Sequence, residues 1–397
     1  MKTVGIISEY NPFHLGHLGH IEKTKAVLGG ECAIVCVMSG NYVQRGDFAV
    51  FNKHSRAEAA VRCGVDLVLE LPSAYALASA EGFARAGVRI LDGLGVCGYI
   101  SFGSESGDMR PLKEVADALV TPEADELTKK WLNDGLSYAH ARQRAAGELL
   151  GAASEVLLKP NNLLGIEYLA ALSAHGSPMH PLTVERTGGA HDGDSGFSAS
   201  ALRRMLLCGY EPWGFIPQSA ADVYKREITE GRGPVSMKQC ELAILSRLRV
   251  FNDYERLAGA SEGLGNRFMR HALIEPTVDA VLEKAKTKRY AMSRLRRMMV
   301  CACLDIAGTD MKKPPPYIRV LAMNSKGMWV LRQARKEAKL PIITKPATAH
   351  KLDANAAGIF RKEAAASDFY ALAYPQASER RGGGEWLKSP FVVRSLL

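Results

Sequence analysis

Short apolar runs alternate with helix-like segments through the first hundred residues, and this alternation is the strongest constraint on the fold. The apolar runs cover residues 3–9, 32–38, 66–71 and 99–102, and helical patterns cover residues 16–28, 55–63 and 78–91. Such alternation predicts a parallel sheet covered by helices on both faces. Ligands of such sheets bind beyond the carboxyl ends of the strands, and here those ends are polar and rich in serine or glycine.

The rest of the chain has a mainly helical pattern. Helices are indicated at residues 108–175, 198–207, 293–306 and 326–338, and strands at residues 182–185 and 317–323. Glycines and prolines cluster within residues 210–218, which is typical of a domain boundary. We therefore predict an α/β protein with a Rossmann-like parallel-sheet domain over residues 1–210. A basic, mostly helical domain is predicted over residues 211–397.

Charge is distributed unevenly between the two halves. Residues 1–200 hold 17 lysines and arginines against 23 aspartates and glutamates, a net charge of −6. Residues 201–397 hold 34 against 19, a net charge of +15. This imbalance favours a polyanionic partner for the C-terminal half, with a solvated basic surface as the alternative.

The sequence also limits the compartment and the metal chemistry. No run of about 18 apolar residues is present, and the N-terminus lacks a signal-peptide pattern, so we expect a cytoplasmic protein with no membrane contact. Eight cysteines lie mostly in apolar stretches, as reduced, buried thiols do, and Cys36 and Cys63 are expected in the core. Cys301 and Cys303 have no second pair and no clustered histidines nearby, so no metal site is predicted.

The sequence His14-Leu15-Gly16-His17 comes directly after the first predicted strand and opens the first predicted helix. A helix N-terminus offers unpaired N–H groups and a partial positive charge, and Gly16 lets the backbone approach a phosphate. The two histidines are three residues apart, so both can stabilise the charge that develops as ATP loses pyrophosphate. His20 lies one turn further along the same face. A metal site formed by the three histidines is the weaker alternative, because no acidic residue lies nearby at ligand spacing.

A second phosphate-binding pattern runs from Phe197 to Arg203. Ser198 and Ser200 supply hydroxyls at the start of a predicted helix, and Arg203 supplies a cationic fork that suits phosphate. Each feature is common alone. Combined with the histidine motif, they predict a nucleotide site built from the first turns of two helices.

These two patterns resemble the HxGH and ISSTxIR motifs of the nucleotidyltransferase superfamily, which shares a Rossmann-like core with class I aminoacyl-tRNA synthetases. Phe197 replaces the isoleucine and Ala199 the inner serine of the second motif. The resemblance narrows to the tRNA(Met) cytidine acetate ligase family. It is carried by residues 4–17, 38–46, 64–72, 102–105 and 159–165, and more weakly by residues 319–324.

The resemblance implies that the protein joins acetate to ATP, releases pyrophosphate and forms acetyl-adenylate without a covalent enzyme intermediate. The acetyl group would then pass to the exocyclic amine of the wobble cytidine in elongator tRNA(Met), giving N4-acetylcytidine. Mg²⁺ would be carried by the ATP phosphates. His14 and His17 are the predicted catalytic residues.

The resemblance also implies a set of ATP-binding residues. These are Ile7, Ser8, Glu9, Tyr10, Asn11, Pro12, Phe13, His14, Leu15, Gly16, His17, Leu18, Gly19, His20, Gly103, Asn161 and Arg186, completed by Ser198, Ser200 and Arg203. Asn162 is the alternative to Asn161, since its side chain could instead cap the next helix.

Two further groups of polar residues have open interpretations. Gln44, Arg45, Lys53, His54 and Arg56 are predicted either to line the substrate side of the pocket or to form a solvated loop and helix start. A third interpretation is that Arg45, Lys53 and Arg56 hold phosphates. The basic residues Arg294, Arg296, Arg297, Lys312 and Lys313 are predicted to bind tRNA phosphates without reading sequence. An adenylyltransferase for a small metabolite and a non-catalytic tRNA-binding protein are the alternative functions.

Overall fold

The computed structural model describes residues 1–185, 198–261 and 263–393, apart from the side chains of residues 160 and 161. The strands are β1 (Lys2–Ser8), β2 (Cys32–Ser39), β3 (Tyr42–Val43), β4 (Asp47–Phe48), β5 (Leu67–Leu71), β6 (Tyr99–Ser104), β7 (His180–Glu185), β8 (Ile318–Met323), β9 (Ile342–Ile343) and β10 (Phe391–Val392).

The helices of the first half are α1 (Leu15–Val27), α2 (Lys53–Arg62), α3 (Ser73–Ala76), α4 (Ala80–Leu94), α5 (Met109–Leu119), α6 (Pro122–Asn133), α7 (Tyr138–Leu150), α8 (Pro160–His175) and α9 (Ala199–Leu207). Those of the second half are α10 (Gln218–Thr229), α11 (Glu241–Val250), α12 (Leu264–Ile274), α13 (Val278–Ala285), α14 (Met292–Leu304), α15 (Gly308–Lys312), α16 (Ser325–Glu337), α17 (Ala354–Ala371) and α18 (Gly384–Leu387). Across the described parts of the chain, none of the helices has the length and hydrophobicity that a membrane span needs.

The main sheet has the strand order β10-β8-β5-β2-β1-β6-β7, and β9 pairs with β8. Strands β5, β2, β1, β6 and β7 are parallel, whereas β8 runs antiparallel to β5. The predicted α/β class with a mainly parallel sheet is confirmed. Strands β8, β9 and β10 lie beyond residue 210 and extend the same sheet. The sequence patterns indicated β8 as a strand at residues 317–323, but not β9 and β10 and not the place of these strands in the main sheet. The division into two domains at residue 210 stays a prediction.

The sheet separates two layers of core. In the central strand β2, Ile34 and Cys36 face one layer with residues of α1, α2, α9 and α10. Val35 and Val37 face the other layer with α4, α8 and helices of the second half. Burial raises the pKa of the Cys36 thiol to about 12, so the thiol stays neutral, and Cys63 lies in the same apolar layer. Because helices cover both faces of this strand, the side chains on both faces are buried. This explains the continuous apolar runs in the sequence.

Candidate active site

A cavity of about 1020 Å³ lies at the carboxyl ends of β1, β6 and β7. Its walls come from the first turns of α1, α4, α9 and α14, from α7 and α8, and from the loop after β2. This is the position at which parallel α/β sheets bind their ligands. The size lies at the upper end of the range for small-molecule sites, which is about 300–1,000 Å³.

The start of α1 orients two histidine rings within the cavity wall. The N–H of Gly16 donates to His14 Nδ1 at 3.0 Å, and the N–H of His14 donates to His17 Nδ1 at 3.3 Å. Because each Nδ1 accepts a hydrogen bond, a neutral ring carries its proton on Nε2. The ring centroids are 3.9 Å apart. The two imidazoles are therefore held side by side as donors through Nε2, the polarity that phosphate oxygens require.

Gly16 is needed for this cap. A Cβ at position 16 would lie 2.9 Å from His14 Cε1, closer than such atoms approach. Any side chain here would displace the His14 ring or open the first turn of α1. The glycine of the motif thus serves the histidine in addition to leaving room for a ligand.

The turn that precedes α1 has a strained backbone held by packing. Tyr10 has a φ of +44°, in the left-handed region that residues with side chains rarely adopt. Its buried ring packs edge-on against Phe13 and His17, with centroids 4.8 and 4.9 Å away. Asn11 Oδ1 accepts the Val50 N–H at 2.8 Å. These contacts fix the ring of His17 before any ligand arrives.

The start of α9 meets this turn across the cavity. Ser198 caps α9 by accepting the Ala201 N–H at 3.1 Å. The Arg203 guanidinium donates to Asn11 O at 2.7 Å and to Ser200 Oγ at 3.0 Å. Burial lowers the pKa of Arg203. The guanidinium nevertheless stays charged, because arginine is protonated at any physiological pH. A guanidinium that is poorly solvated attracts phosphate more strongly than one in water.

The structure brings most of the predicted site residues together on this cavity. The lining includes Ile7, Ser8, Glu9, Tyr10, Asn11, His14, Leu15, Gly16, His17, His20, Gly103, Ser198, Ser200 and Arg203. Four predicted residues, Pro12, Phe13, Leu18 and Gly19, are not part of the lining. Phe13 is instead fully buried in the core, and its N–H donates to the Tyr224 hydroxyl.

The remaining predicted residues have other positions. His20 Nε2 is hydrogen-bonded to Ser101 Oγ at 3.0 Å. Arg186 and the side chain of Asn161 lie outside the described residues. Asn162 is buried, and its amide joins the Glu105 N–H to the Val156 carbonyl. Among the described residues, no group of three or more His, Cys, Asp or Glu side chains could hold a metal ion.

The polar run after β2 divides into two groups. Gln44 and Arg45 line the cavity, and the Gln44 N–H donates to Glu9 Oε1 at 2.7 Å. Lys53 and Arg56 are fully buried and are not part of the lining, so none of the three sequence interpretations describes them correctly. Arg56 donates to the backbone carbonyls of Glu9, Ser39, Gly40 and Phe51 and thereby ties together the loops that follow β1 and β2.

Lys53 is the centre of a buried ionic cluster. Its Nζ lies 2.5 Å from Glu70, 3.1 Å from Glu363 and 3.0 Å from Glu385. Burial alone would lower the pKa of Lys53, but the three carboxylates outweigh burial and raise it. Burial raises the pKa of Glu70, whereas at Glu385 burial is outweighed by Lys53, His54 and Arg319, which leave its pKa lowered. The cluster joins α2 and β5 to α17 and α18, and its role is structural.

The basic helix α14 forms part of the cavity wall. Its residues Arg294 and Arg297 are in the lining, and Arg297 Nη1 donates to Gln44 O at 3.4 Å. Gly46 has a φ of +75°, and a Cβ there would lie 2.3 Å from the Arg297 backbone nitrogen, so this loop is pressed against the helix. Two of the arginines predicted to bind tRNA therefore share a cavity with His14. Lys312 and Lys313 are exposed at the end of α15.

Sequence reasoning missed one wall of the cavity. Phe83 of α4, Tyr138 and Arg142 of α7, and Glu167 and Tyr168 of α8 all line it. The helical patterns of residues 78–91 and 108–175 indicated these helices, but none of these five residues belongs to a motif. Arg142 and Glu167 are 25 residues apart and meet only through the packing of α7 near α8.

Comparisons with known proteins agree with this geometry. Residues 1–385 match the HIGH Nucleotidyl Transferase family. The chain is 37% identical over 387 residues to the tRNA(Met) cytidine acetate ligase of Caldanaerobacter subterraneus, covering 94% of this chain and 96% of that protein. It is 36% identical to the Thermosipho africanus protein of the same name, over 99% of this chain and 100% of that protein. The crystal structure of Thermotoga maritima TmcAL bound with alpha-thio ATP superposes with a TM-score of 0.92 at 34% identity, covering 100% of both chains.

Proposed function

This chain belongs to the tRNA(Met) cytidine acetate ligases within the HIGH nucleotidyl transferase family, and from that membership we propose that it uses ATP to acetylate the wobble cytidine of elongator tRNA(Met). The enzyme is a ligase that forms acetyl-adenylate as its intermediate and N4-acetylcytidine as its product. ATP is the nucleotide substrate, in line with the nucleotide analogue in the Thermotoga maritima relative.

One observation supports this reaction above the others. Two histidine Nε2 donors at the start of α1 and the serines and Arg203 at the start of α9 line the same cavity. Two helix N-termini and five cationic or polar side chains suit a triphosphate. We propose that all of the lining residues of the predicted set contact ATP.

In the first step an acetate oxygen attacks the α-phosphorus of ATP. The bond from the α-phosphorus to the bridging oxygen breaks, and pyrophosphate leaves with the bonding electrons. His14 and His17 donate through Nε2 to phosphate oxygens, on which charge accumulates, and Arg203 holds the departing phosphates. The fixed cap at α1 supplies these donors already oriented, so little reorganisation is needed.

In the second step the exocyclic N4 of cytidine attacks the acetyl carbonyl carbon. A carbon–nitrogen bond forms, the bond from the acyl carbon to the adenylate oxygen breaks, and AMP leaves. N4 loses one proton, which passes to solvent. No nucleophilic side chain is required, because the adenylate already provides a good leaving group.

We propose that Mg²⁺ enters on the ATP phosphates. The acidic side chains of the lining, Glu9, Glu81, Glu167 and Glu185, are not gathered into a three-residue cluster in the described structure. Phosphate oxygens and water would therefore supply most ligands of the ion, as is usual for Mg²⁺ bound with a nucleotide. When bound, it would neutralise part of the triphosphate charge.

The partner and the compartment follow from the same proposal. The net charge of +15 over residues 201–397 suits a polyanion, and elongator tRNA(Met) is the partner we propose. A cytoplasmic location is proposed because ATP and tRNA are both available there.

The test is pyrophosphate release from ATP by the purified protein with acetate, with and without tRNA, followed by nucleoside analysis of the tRNA. Acetylcytidine that depends on both ATP and acetate is the expected result. His17→Ala should lower acetate-dependent pyrophosphate release at least ~100-fold, the scale of losing one transition-state donor. His180→Ala is the control, since this histidine is exposed on β7 outside the cavity. Wild-type activity in His17→Ala would contradict the site, and AMP transfer to a soluble metabolite would contradict the acceptor.

A further inference from the structure

The cavity continues past the residues that suit ATP into a second region. We call this region the α7–α8 lobe and define it by Phe83, Tyr138, Arg142, Glu167 and Tyr168, all of which are in the lining. Phe83 and Tyr168 are buried, at 2% and 4% exposure, whereas Tyr138 is exposed. Aromatic walls with an open end suit a flat ring that enters from solvent.

The lobe also contains a charged pair with an incomplete set of hydrogen bonds. Arg142 Nη1 donates to Glu167 Oε1. The second oxygen, Oε2, is buried without a hydrogen-bond partner among the described residues. The Tyr138 hydroxyl donates to Glu81 Oε2 at 3.1 Å, and the Arg142 guanidinium lies 5.8 Å from the centre of the Tyr138 ring. A buried carboxylate oxygen that lacks a donor is costly and indicates a ligand that supplies one.

The lobe adjoins the place where the adenylate would form. The five residues of the lobe line the same cavity as the end of β1 and as His14 and His17 at the start of α1. Glu9 is itself in the lining of the cavity. A group held against Tyr168 therefore shares one cavity with the proposed nucleotide site.

Resting on the proposed function, we infer that the α7–α8 lobe binds the wobble base and that the Arg142–Glu167 pair reads its Watson–Crick edge. Cytosine presents the N4 amine beside two acceptors, N3 and O2. The Glu167 carboxylate accepts from the amine, and the Arg142 fork donates to N3 or O2. The base is turned out of its stack to reach the lobe, as enzymes that act on bases require.

The same pair rejects uracil. Uracil carries a carbonyl oxygen at the position of the cytosine amine, so it would face the Glu167 carboxylate with a second acceptor. An unpaired carboxylate and an unpaired carbonyl in a buried lobe disfavour binding. Arg142 and Glu167 therefore act as specificity-determining residues for the acceptor, separate from the groups that bind ATP.

The test separates the two half-reactions in full-length protein. Glu167→Gln should leave acetate-dependent exchange of pyrophosphate into ATP at the wild-type level and lower kcat/KM for acetylation of a tRNA(Met) transcript about 10- to 100-fold. A transcript with uridine at the wobble position should inhibit acetylation of the cytidine transcript more strongly in this variant than in the wild type. Arg142→Lys keeps the charge but loses the fork, and the same split between half-reactions is expected.

Glu148→Gln is the matched control. Glu148 lies on α7 and accepts from the Trp131 indole outside this cavity, so both half-reactions should be unchanged. Unchanged transcript acetylation in both lobe variants would overturn the inference, as would an equal loss of both half-reactions at an unchanged unfolding midpoint. A wild-type protein with neither exchange nor acetylcytidine would instead refute the proposed function.

Discussion

His14 both caps α1 and presents an imidazole to the cavity, and substitution can separate these two roles. His14→Ala removes both, whereas His14→Asn keeps a side chain that caps helices well. We expect acetate-dependent pyrophosphate release to fall in both variants. The alanine variant should lose about 1 kcal/mol of unfolding free energy and the asparagine variant only a small part of that.

Urea denaturation of the two variants and the wild type measures this difference. Wild-type stability in the alanine variant would show that the Gly16 N–H to His14 Nδ1 hydrogen bond contributes nothing. Asparagine retaining full activity would show that the imidazole is not needed for the chemistry. The two readouts thus test structure and function at one residue independently.

At the level of elements, the buried cluster around Lys53 fastens the sheet to helices from the end of the chain. Lys53→Met leaves three buried carboxylates, those of Glu70, Glu363 and Glu385, without their central cation. We expect a loss of about 3–5 kcal/mol in unfolding free energy, since removing one partner of a buried ion pair leaves charge uncompensated. Chemical denaturation measures the loss. Lys130→Met, which breaks an exposed 3.9 Å pair with Glu148, should change stability by about 1 kcal/mol or less.

The same cluster gives stability a pH dependence of defined sign. Burial raises the pKa of Glu70 above its value in the unfolded chain, about 4.3. The native state therefore binds a proton that the unfolded state has lost, and this contribution to stability disappears as pH rises through the native pKa. Glu70→Gln mimics the protonated form, so its stability relative to the wild type should rise as pH increases above the unfolded-chain value of about 4.3. Unfolding free energies that stay parallel across this range would contradict the shift.

Which parts of the molecule could be predicted from sequence depends on how local their signals are. The strand and the helix predicted at residues 3–9 and 16–28 are observed at residues 2–8 and 15–27. They could be predicted because hydrophobic periodicity, glycines and capping residues act over a few positions. The burial of Lys53 was not predicted, because its carboxylate partners lie 17 to 332 positions away in the chain. From sequence alone, a polar residue next to a motif is interpreted as exposed to solvent or in contact with a ligand. Acidic partners that are distant in the chain become apparent only in the folded structure.

The candidate site shows the same division. His14 and Arg203 were predicted to share a site, because their motifs are short and have a known relation to helix starts, and both residues line one cavity. The α7–α8 lobe escaped prediction because Arg142 and Glu167 pair only through the tertiary packing of two ordinary helices. Sequence thus indicated the part of the cavity wall formed by the starts of α1 and α9, but not the part formed by α7 and α8.

The whole molecule places its active cavity between parts of both halves of the chain. The starts of α1 and α9 come from the first half, and the start of α14 from the second. Strand β8 also adds the second half to the sheet beside β5. Arginines of α14 that line the cavity therefore cannot be assigned to RNA binding alone, and a test of RNA binding needs basic residues elsewhere.

Lys312 and Lys313 meet this need, because both are exposed and lie outside the cavity lining. Changing both to glutamate should weaken tRNA binding and reduce the slope of log affinity against log salt concentration by roughly 1 to 2, since each phosphate contact releases about one counterion. Acetate-dependent pyrophosphate release without tRNA should be unchanged. The matched control changes Lys129 and Lys130 to glutamate, the same charge reversal on an exposed face of the acidic half. Filter binding at several salt concentrations measures both variants. An equal loss of affinity in the control would mean that overall charge, and not a basic surface of the second half, attracts the RNA.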